Sequence, residues 1–140
     1  MANTTIQFSI VTPERIIMSQ TVDSVSVMTS TGEITVLPNH APLVSELKPG
    51  ELKLIVDGKE ELLAVSTGFI EVRDKGEVVI LADTADRAEE LDIEAINKAK
   101  EEAERIMSEA TSVNDQAYAR AAAALEREMA RHRVAMKRKR

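Results

Sequence analysis

The first 81 residues consist of short segments in which apolar and polar side chains alternate. In residues 6–10, every second side chain is apolar, beginning with Ile6. A period of two places the apolar side chains on one face of a β-strand. Further short strand segments cover residues 22–27, 52–56, 61–65 and 69–72, and two entirely apolar runs at residues 16–18 and 78–81 belong to the same series. Short strands at this spacing, with a turn such as Asp57-Gly58 between two of them, indicate an all-β sandwich or barrel.

Residues 31–52 interrupt this pattern, because they contain three of the four prolines. Pro38, Pro42 and Pro49 each lack a backbone N–H and have a fixed φ, so we expect no long strand to cross the segment. Its apolar residues are Ile34, Val36, Leu37, Leu43, Val44 and Leu47. The sequence therefore predicts a shaped loop with short strand pieces, packed on a β scaffold.

From Leu91 onward, the apolar period is that of a helix, with Asp92 as a suitable N-cap. The apolar face of this first helix is Ile93, Ile96, Ala99, Ala103, Ile106, Met107 and Ala110. Residues 111–114 interrupt the pattern, and Asn114 is a candidate cap for a second helix. The apolar seam of that helix is Tyr118, Ala121, Leu125, Met129, His132 and Met136. Two helices with a short connection predict an antiparallel hairpin.

The change of period divides the chain into two expected domains. Residues 1–85 form the β domain and residues 86–140 the helical hairpin, with the join at about residues 83–92. The net charge of −6 is unevenly distributed over them. Residues 1–85 and 86–116 each carry −6, whereas residues 117–140 carry +6, from eight basic and two acidic side chains. A basic terminal run is usually solvated or a generic phosphate binder, and a dedicated acidic protein partner is the more specific interpretation.

Composition excludes several kinds of chemistry. Aromatic residues make up 2% of the 140 residues, which disfavours base stacking on nucleic acid. The sequence has no cysteine, so disulfides, a thiol nucleophile and a thiolate metal site are excluded. No phosphate-binding loop, zinc-histidine spacing or nucleophile elbow occurs. We therefore expect no active site of the chain's own.

The remaining polar candidates are assigned to loops and helix edges. His40 is interpreted as a loop-organising or interface histidine and His132 as a core-edge residue. Glu33 is interpreted as a solvated turn residue, with an exposed loop contact as the functional alternative. Asp83, Asp86 and Asp92 form a candidate cation cluster. Their spacing lacks the glycine and the terminal glutamate of a calcium loop, so we expect no metal site.

On the residues alone, two function classes stay open. One is a protein-interaction or regulatory subunit, and the other is a stand-alone nucleic-acid-binding module that uses the basic C-terminal helix. Retention on an anionic polymer column distinguishes the two, because strong retention that requires residues 117–140 would favour nucleic acid. The acidic body and the scarcity of aromatic residues favour the first class.

Four blocks of sequence resemble the ε subunits of F-type ATP synthases. The first is GEITVLPNHAPL from Gly32 to Leu43, followed by KPG at 48–50, STGFIEV at 66–72 and VILADTA at 79–85. They occur in the order of the family and precede an alanine-rich two-helix tail, so the resemblance covers the whole chain. It implies a mixed fold, β then α, in which an N-terminal antiparallel β-sandwich is followed by a C-terminal antiparallel two-helix hairpin.

The resemblance implies a non-catalytic subunit of the central stalk, which is the rotor of these enzymes. Such a subunit binds the γ subunit and the ring of c subunits and helps couple proton translocation to ATP synthesis. Glu33, His40 and Pro42 match the family's positions for contact with the c-ring and the stalk. A carboxylate at Glu33 is a sensible partner for the basic and polar loops of the ring, and a proline-stiffened loop loses little entropy on docking.

The resemblance also implies a role for the basic helix. In the family's inhibitory state, the second helix extends into the catalytic head of α and β subunits, meets an acidic segment of a β subunit and restrains ATP hydrolysis. Arg120, Arg127, Arg131 and Arg133 are the matching cations. Whether the hairpin is folded back or extended stays open at this point, because both states use the same apolar seam.

At the first helix the sequence departs from the family pattern. Some bacterial members bind ATP there through (I/L)-D-x-x-R-A, and this chain keeps Leu91 and Asp92 but has Ala95 and Ile96 in place of the arginine and the alanine. Losing a charge-assisted contact to a triphosphate costs about 1.5–3 kcal/mol. We therefore expect weak or no ATP binding, and no cofactor.

The resemblance implies a peripheral position at the cytoplasmic face of a bacterial plasma membrane, with a thylakoid membrane as the open alternative. No basic segment followed by a long apolar run occurs at the N-terminus, so we expect no signal peptide. No stretch approaches the roughly 20 apolar residues that a membrane-spanning helix needs. Contact with the membrane is therefore expected through a partner, without direct insertion.

Overall fold

The computed structural model describes residues 4–110, 112 and 115–138. Nine strands come first: β1 (Ile6–Val11), β2 (Ile16–Val22), β3 (Ser24–Thr29), β4 (Gly32–Val36), β5 (Leu43–Val56), β6 (Lys59–Val65), β7 (Gly68–Val72), β8 (Glu77–Ala82) and β9 (Ala85–Arg87). Two helices follow: α1 (Ile93–Glu109) and α2 (Gln116–Arg138). The predicted β-then-α fold, a β-sandwich followed by a helical hairpin, is confirmed.

The strands form one hydrogen-bonded sheet that folds over on itself at β5. Its main order is β2-β1-β8-β7-β5-β3-β4, and β6 pairs with both β5 and β9. The first part of β5 pairs with β7 between Leu43 and Leu47, and the second part pairs with β6 between Gly50 and Val56. β5 therefore belongs to both layers of the sandwich. β1 and β8 run parallel, and the other described pairs are antiparallel.

One aliphatic core lies between the two layers. Phe8 is the largest of its fully buried side chains, and Ile10, Leu54, Ile70 and Ile80 have no exposed surface. They come from β1, β5, β7 and β8, and each occupies an apolar position of the period-two pattern. Burying such a side chain contributes about 1.5–3 kcal/mol, so a core with one phenylalanine is sufficient when many aliphatic residues take part.

The expectation that no long strand crosses residues 31–52 is wrong. β5 is a 14-residue strand that contains Pro49. Pro49 lies where β5 changes partner, between Leu47, the last residue paired with β7, and Gly50, the first paired with β6. The missing N–H removes no ladder hydrogen bond at that point, so the strand continues through the proline. Pro38 and Pro42 do lie outside strands, between β4 and β5.

The hairpin predicted at Asp57-Gly58 is confirmed. Val56 and Lys59 are paired across it, so the loop between β5 and β6 has two residues. Both have positive φ, 51° for Asp57 and 77° for Gly58, as a type I′ turn requires. The carboxylate of Asp23 accepts a hydrogen bond of 2.9 Å from the backbone N–H of Asp57 and anchors the turn to the end of β2.

The two helices begin at acidic caps. Asp92 is the N-cap of α1, as predicted, and its side chain accepts hydrogen bonds from the backbone N–H groups of Glu94 and Ala95. The candidate cap Asn114 lies outside the described residues. The carboxylate of Asp115 accepts a hydrogen bond of 2.8 Å from the N–H of Ala117 at the start of α2. Both caps satisfy donors that a helix leaves unpaired at its N-terminus.

α2 buries two faces, whereas the sequence predicted a single seam. Met129 and Met136 of that seam are 42% and 43% exposed, so their assignment to it is wrong. The buried residues of α2 are Ala121, Glu128, Ala130, Val134 and Ala135. Small side chains let backbones approach closely. α2 therefore packs against α1 on one face and against β5 and β6 on the other.

Residues 83–92, expected to be a turn or a short helical piece, also contain a strand. β9 pairs with β6 through Ala64 opposite Asp86, and the 3₁₀ turn Ala88–Glu90 follows it. The short strand extends the layer of β5 and β6 by one position beyond β6. We call these three strands, on which α2 packs, the outer sheet. The domain boundary at residue 85 stays a prediction.

Gly68 provides a test of the packing between β7 and β8. A Cβ atom there would lie 2.0 Å from the carbonyl oxygen of Leu81 and 2.7 Å from the Cα of Ala82. We expect Gly68→Ala to lower the free energy of unfolding by about 3 kcal/mol, because backbone atoms must move apart. Urea denaturation measures the loss. Gly50→Ala is the matched control, since its nearest contact would be the Cβ of Met28 at 3.3 Å. Equal losses in the two variants would contradict the packing argument.

Candidate interaction surfaces

The outer face of the layer formed by β2, β1, β8, β7 and the first part of β5 carries exposed apolar side chains, with Glu46 and Glu71 among them. Phe69 and Leu81 are directly opposite each other on β7 and β8, with 53% and 47% of their surfaces exposed. Val44 on β5 and Ile16 on β2 are 68% and 67% exposed. Contiguous exposed apolar side chains of this kind mark docking surfaces for other proteins. We call Ile16, Val44, Phe69 and Leu81 the apolar face.

The loop between β4 and β5 holds His40 and Pro42, both exposed. The N–H of His40 donates to the carbonyl oxygen of Leu37 at 3.2 Å, and its ring Nδ1 lies 2.7 Å from the carbonyl oxygen of Ala41. These contacts make His40 part of a tight turn. Pro42 leads directly into β5, two residues before Val44, so the loop adjoins the apolar face.

Glu33 is not in a loop, so the expectation of a turn residue is wrong. It is the second residue of β4, exposed and opposite Met28 of β3. Most of β4 lies between Glu33 and His40, and the structure therefore does not bring the two residues together. Glu33 lies on the side of the sandwich that α2 covers. It lines a groove of about 310 Å³ together with Arg133 and Lys137 of α2.

α2 packs on the outer face of β6 through a small apolar cluster. Val134 is fully buried and contacts Ala64 of β6 and Ala88 of the 3₁₀ turn. Leu62 and Leu91 close the cluster from its sides. The hairpin is therefore folded back on the sandwich in this structure, which the sequence left open. These three small buried residues give a modest apolar contact area. The ionic contacts around them therefore contribute a larger share of what holds α2 on the sandwich.

Arg131 connects the helix to the sandwich by an ionic contact. Its Nε donates to the carboxylate of Asp86 on β9 at 2.9 Å, and one terminal nitrogen donates to Glu128 at 2.6 Å. Glu128 is 4% exposed, and a buried carboxylate needs an ion partner, which here is the guanidinium of Arg131. At the end of α2, the ammonium of Lys137 donates to the carboxylate of Glu51 on β5. These acidic partners were not recognised from the sequence, where Asp86 was considered only as a metal ligand.

The four arginines singled out in the sequence have different surroundings. Arg120 and Arg133 are exposed, and in the described part of the chain they form no ion pair. The Nε of Arg127 lies 3.7 Å from the carboxylate of Glu128, is itself buried and has no hydrogen-bond partner. Arg131 is engaged with Asp86 as described above. In the folded hairpin, Arg120 and Arg133 are therefore available to bind a partner, whereas Arg131 is fully engaged within the chain.

Leu91 and Asp92 line a groove between the start of α1 and the end of α2. The groove has a volume of about 380 Å³ and includes Glu94, Ala135 and Arg138. The carboxylate of Asp92 is occupied with helix capping, at 3.0 Å from the N–H of Glu94. A triphosphate would meet two carboxylates here, and the basic residue that lines this groove, Arg138, comes from α2.

The three aspartates considered as a cation cluster serve other contacts. Asp83 accepts a hydrogen bond from the hydroxyl of Thr67 at 3.1 Å, Asp86 pairs with Arg131, and Asp92 caps α1. Within residues 4–110, 112 and 115–138, no group of three or more His, Cys, Asp or Glu residues is arranged to hold a metal ion.

A charge network on α1 lies apart from these surfaces. Arg105 donates to Glu102 and to Glu109 on the same helix. The hydrogen bond from Arg105 lowers the pKa of the Glu102 carboxyl, and both carboxylates raise the pKa of Arg105. The groups are exposed, so this network is a solvated helix surface with a small effect on stability.

Taken together, the fold and these surfaces define a class of protein: a β-sandwich interaction module with an exposed apolar face and a folded-back cationic helix. Two family models match the chain. The model described as "ATP synthase, Delta/Epsilon chain, beta-sandwich domain" matches residues 5–88, and "ATP synthase, Delta/Epsilon chain, long alpha-helix domain" matches residues 89–136. The chain belongs to the ATP synthase delta/epsilon chain family. It is an accessory subunit of that complex and not an enzyme itself.

Curated relatives and solved structures agree with this assignment. The ATP synthase epsilon chains of Chloroflexus aggregans and Herpetosiphon aurantiacus are 47% and 43% identical over 130 residues, covering 93% of this chain and 91% and 93% of theirs. A chain of the Euglena gracilis mitochondrial ATP synthase, solved with OSCP, F1 and c-ring, matches with a TM-score of 0.79 at 27% identity, covering 99% of this chain and 83% of that one. A chain of the Tetrahymena thermophila central stalk and c-ring shows the same fold, with a TM-score of 0.59 and 13% identity over the full length of both.

In the part of the chain that the structure describes, no helix is both long enough and apolar enough to cross a membrane.

Proposed function

We propose that the chain acts in the central stalk of an ATP synthase, where it binds the γ subunit and the c-ring and helps couple proton translocation to ATP synthesis. In this role its C-terminal helix restrains ATP hydrolysis. The observation that supports the proposal best is the division of the surface: an apolar face on one layer of the sandwich and a cationic helix on the other. The relatives that align with 93% of the chain are epsilon chains, and the Euglena chain comes from an ATP synthase solved with OSCP, F1 and c-ring.

The apolar face is the proposed docking surface for the γ subunit. Phe69 and Leu81 lie side by side on it, and the loop with His40 and Pro42 borders it near Val44. An aromatic side chain with aliphatic neighbours and charged residues beside them is typical of a protein interface, and here Leu81 and Glu46 are the cross-strand neighbours of Phe69. His40 and Pro42 thereby become contacts with the stalk at the rim of the same surface.

Glu33 is the proposed contact with the c-ring. It is exposed near the β3–β4 turn and forms no ion pair among the described residues. A carboxylate without an ion partner is free to pair with basic loops of the ring. Because Glu33 lies far along β4 from His40, the ring contact and the stalk contact are separate surfaces in this proposal.

Phe69→Asp tests the stalk contact. We expect it to weaken binding to the γ subunit by at least about tenfold, because a charge would be buried in the centre of the interface. Binding is measured by titration of the purified γ subunit, with the fold checked by circular dichroism. Thr35→Asp is the matched control, since Thr35 is exposed on the other layer, and it should bind γ normally. Glu33→Gln should also bind γ normally while reducing association with the c-ring. Normal γ binding by Phe69→Asp would contradict the assignment of the apolar face.

The inhibitory role rests on the basic helix. Residues 117–140 carry a net charge of +6, which suits an acidic segment of a catalytic β subunit between its α neighbours. Arg120, Arg127, Arg131 and Arg133 are the proposed contacts. Arg120 and Arg133 are exposed in the folded hairpin, so they are the best residues for testing the contact without disturbing the docked helix.

Deletion of residues 115–140 is expected to raise ATP hydrolysis by the assembled complex about fivefold, because the inhibitory contact is lost. Assembly should be unaffected, since the sandwich carries the stalk contact. Arg120→Gln with Arg133→Gln should give a smaller rise, and Lys98→Gln with Lys100→Gln on α1 is the charge-matched control. Steady-state ATPase assays of the purified complex measure the effect. Unchanged hydrolysis after the deletion would exclude the inhibitory role.

We further propose that the hairpin binds ATP weakly or not at all. The groove at Leu91 and Asp92 presents two carboxylates, and position 95, where some relatives of the family place an arginine, is an exposed alanine. Isothermal titration of the full chain with ATP should show no binding in the micromolar range. Ala95→Arg should strengthen binding about tenfold or more, whereas Ala95→Gln should not. Micromolar binding by the unmodified chain would show that the groove is an ATP site.

As part of such a complex, the chain is proposed to lie at the cytoplasmic face of a bacterial plasma membrane, held there by its partner subunits. The curated relatives named above support this location, because both are ATP synthase epsilon chains.

A further inference from the structure

A row of side chains crosses the outer sheet beneath α2. Asp86 on β9 is opposite Ala64 on β6, and Ala64 is in turn opposite Glu51 on β5. Opposite residues of antiparallel strands point to the same side of a sheet. The row therefore presents an acidic, a small and an acidic side chain on three consecutive strands. We call Asp86, Ala64 and Glu51 the acidic row.

α2 contacts each position of the acidic row with residues three apart. Arg131 pairs with Asp86, Val134 packs on Ala64, and Lys137 pairs with Glu51. Three residues of a helix advance about 4.5 Å along its axis. Neighbouring strands lie about 4.8 Å apart. A helix that crosses the strands can therefore match cation, apolar residue and cation to acid, small residue and acid without a change of register.

From this match we propose that the acidic row is a register-specific latch that holds α2 in the folded state and withholds two of its cations from other partners. Sliding the helix by one residue would place a different side chain over each position. The buried apolar contact alone is small, whereas an ion pair at each end fixes both position and direction. Partly buried ion pairs are better suited to fixing a register than to adding net stability.

The latch would regulate inhibition of ATP hydrolysis by keeping the cations of α2 from the catalytic head, and this part rests on the function proposed above. A guanidinium that pairs with Asp86 and Glu128 has little capacity left for an acidic segment of another subunit. Asp86 and Glu51 act as an internal substitute for that segment. The helix must leave the acidic row before Arg131 and Lys137 can bind elsewhere.

Distance measurements on the full chain test the latch. The chain has no cysteine, so spin labels at Glu14→Cys on the sandwich and Ala123→Cys on α2 report the position of the hairpin. We expect Asp86→Asn to raise the ratio of released to docked hairpin about tenfold. Glu51→Gln, whose ion pair is more exposed, should raise it about threefold. Pulsed dipolar spectroscopy gives both populations in one measurement.

Two further variants separate the latch from a general loss of charge or of folding. Glu71→Gln removes an exposed carboxylate that pairs with Arg73 away from α2 and should leave the ratio unchanged. Exchanging the charges of the other pair, Glu51→Lys with Lys137→Glu, should restore docking relative to either single change, because the ion pair of Lys137 among the described residues is with Glu51. A hairpin that stays docked in Asp86→Asn with Glu51→Gln, or an exchange at Glu51 and Lys137 that fails to restore docking, would overturn the latch.

ATP hydrolysis by the complex distinguishes failure of the latch from failure of the proposed function. Release of the hairpin with stronger inhibition of hydrolysis would support both. Release without any change in hydrolysis would support the latch and contradict the inhibitory role. If the hairpin stays docked in Asp86→Asn with Glu51→Gln, the latch is overturned, independently of the ATP hydrolysis measured for the complex with residues 115–140 deleted.

Discussion

The docking of α2 on the outer sheet is the contact on which the arrangement of the whole chain depends. β5 and β6 present Glu51, Leu62 and Ala64 on the side away from the core. Without a helix on top, the apolar part of that face would meet water. In the described chain, α1 packs mainly against α2 and not against the sheet. The hairpin therefore docks through its second helix, and a change at that helix displaces both.

This dependence explains why the two layers of the sandwich have such different outer faces. The layer of β1, β7 and β8 leaves Phe69 and Leu81 exposed, and no element of the described chain covers them. The layer of β5, β6 and β9 is covered from within the same chain, and its contact includes ion pairs that water and salt can weaken. A permanent interface benefits from apolar area, whereas a reversible one benefits from polar contacts that are satisfied in either state. The first face therefore suits a fixed position in an assembly, and the second suits a helix that comes and goes.

Most of the fold follows from local patterns in the sequence. Period-two alternation located the strands, Asp57-Gly58 located the hairpin turn and Asp92 located the start of α1, because each of these depends on neighbours in the chain. The failures depend on neighbours in space. Pro49 is tolerated in β5 only because the strand changes partner there, and β9 is too short to show a period. The position of Glu33 after Gly32 predicts a turn, although pairing with Met28 makes it part of β4.

The candidate surfaces divide in the same way. Arg120, Arg131 and Arg133 are all recognisable as cations of the second helix, but nothing local shows that Arg131 is paired and the other two are not. What distinguishes Arg131 is Asp86, which is 45 residues away and belongs to a strand that no periodicity revealed. Likewise, the predicted seam through Met129 and Met136 follows from a one-face model of the helix, whereas alanines allow α2 to bury two faces. The buried faces of a helix that packs against two partners cannot be predicted from its apolar residues alone. The charged residues that orient such a helix on one partner look solvent-exposed in the sequence, because their ion partners lie elsewhere in the chain.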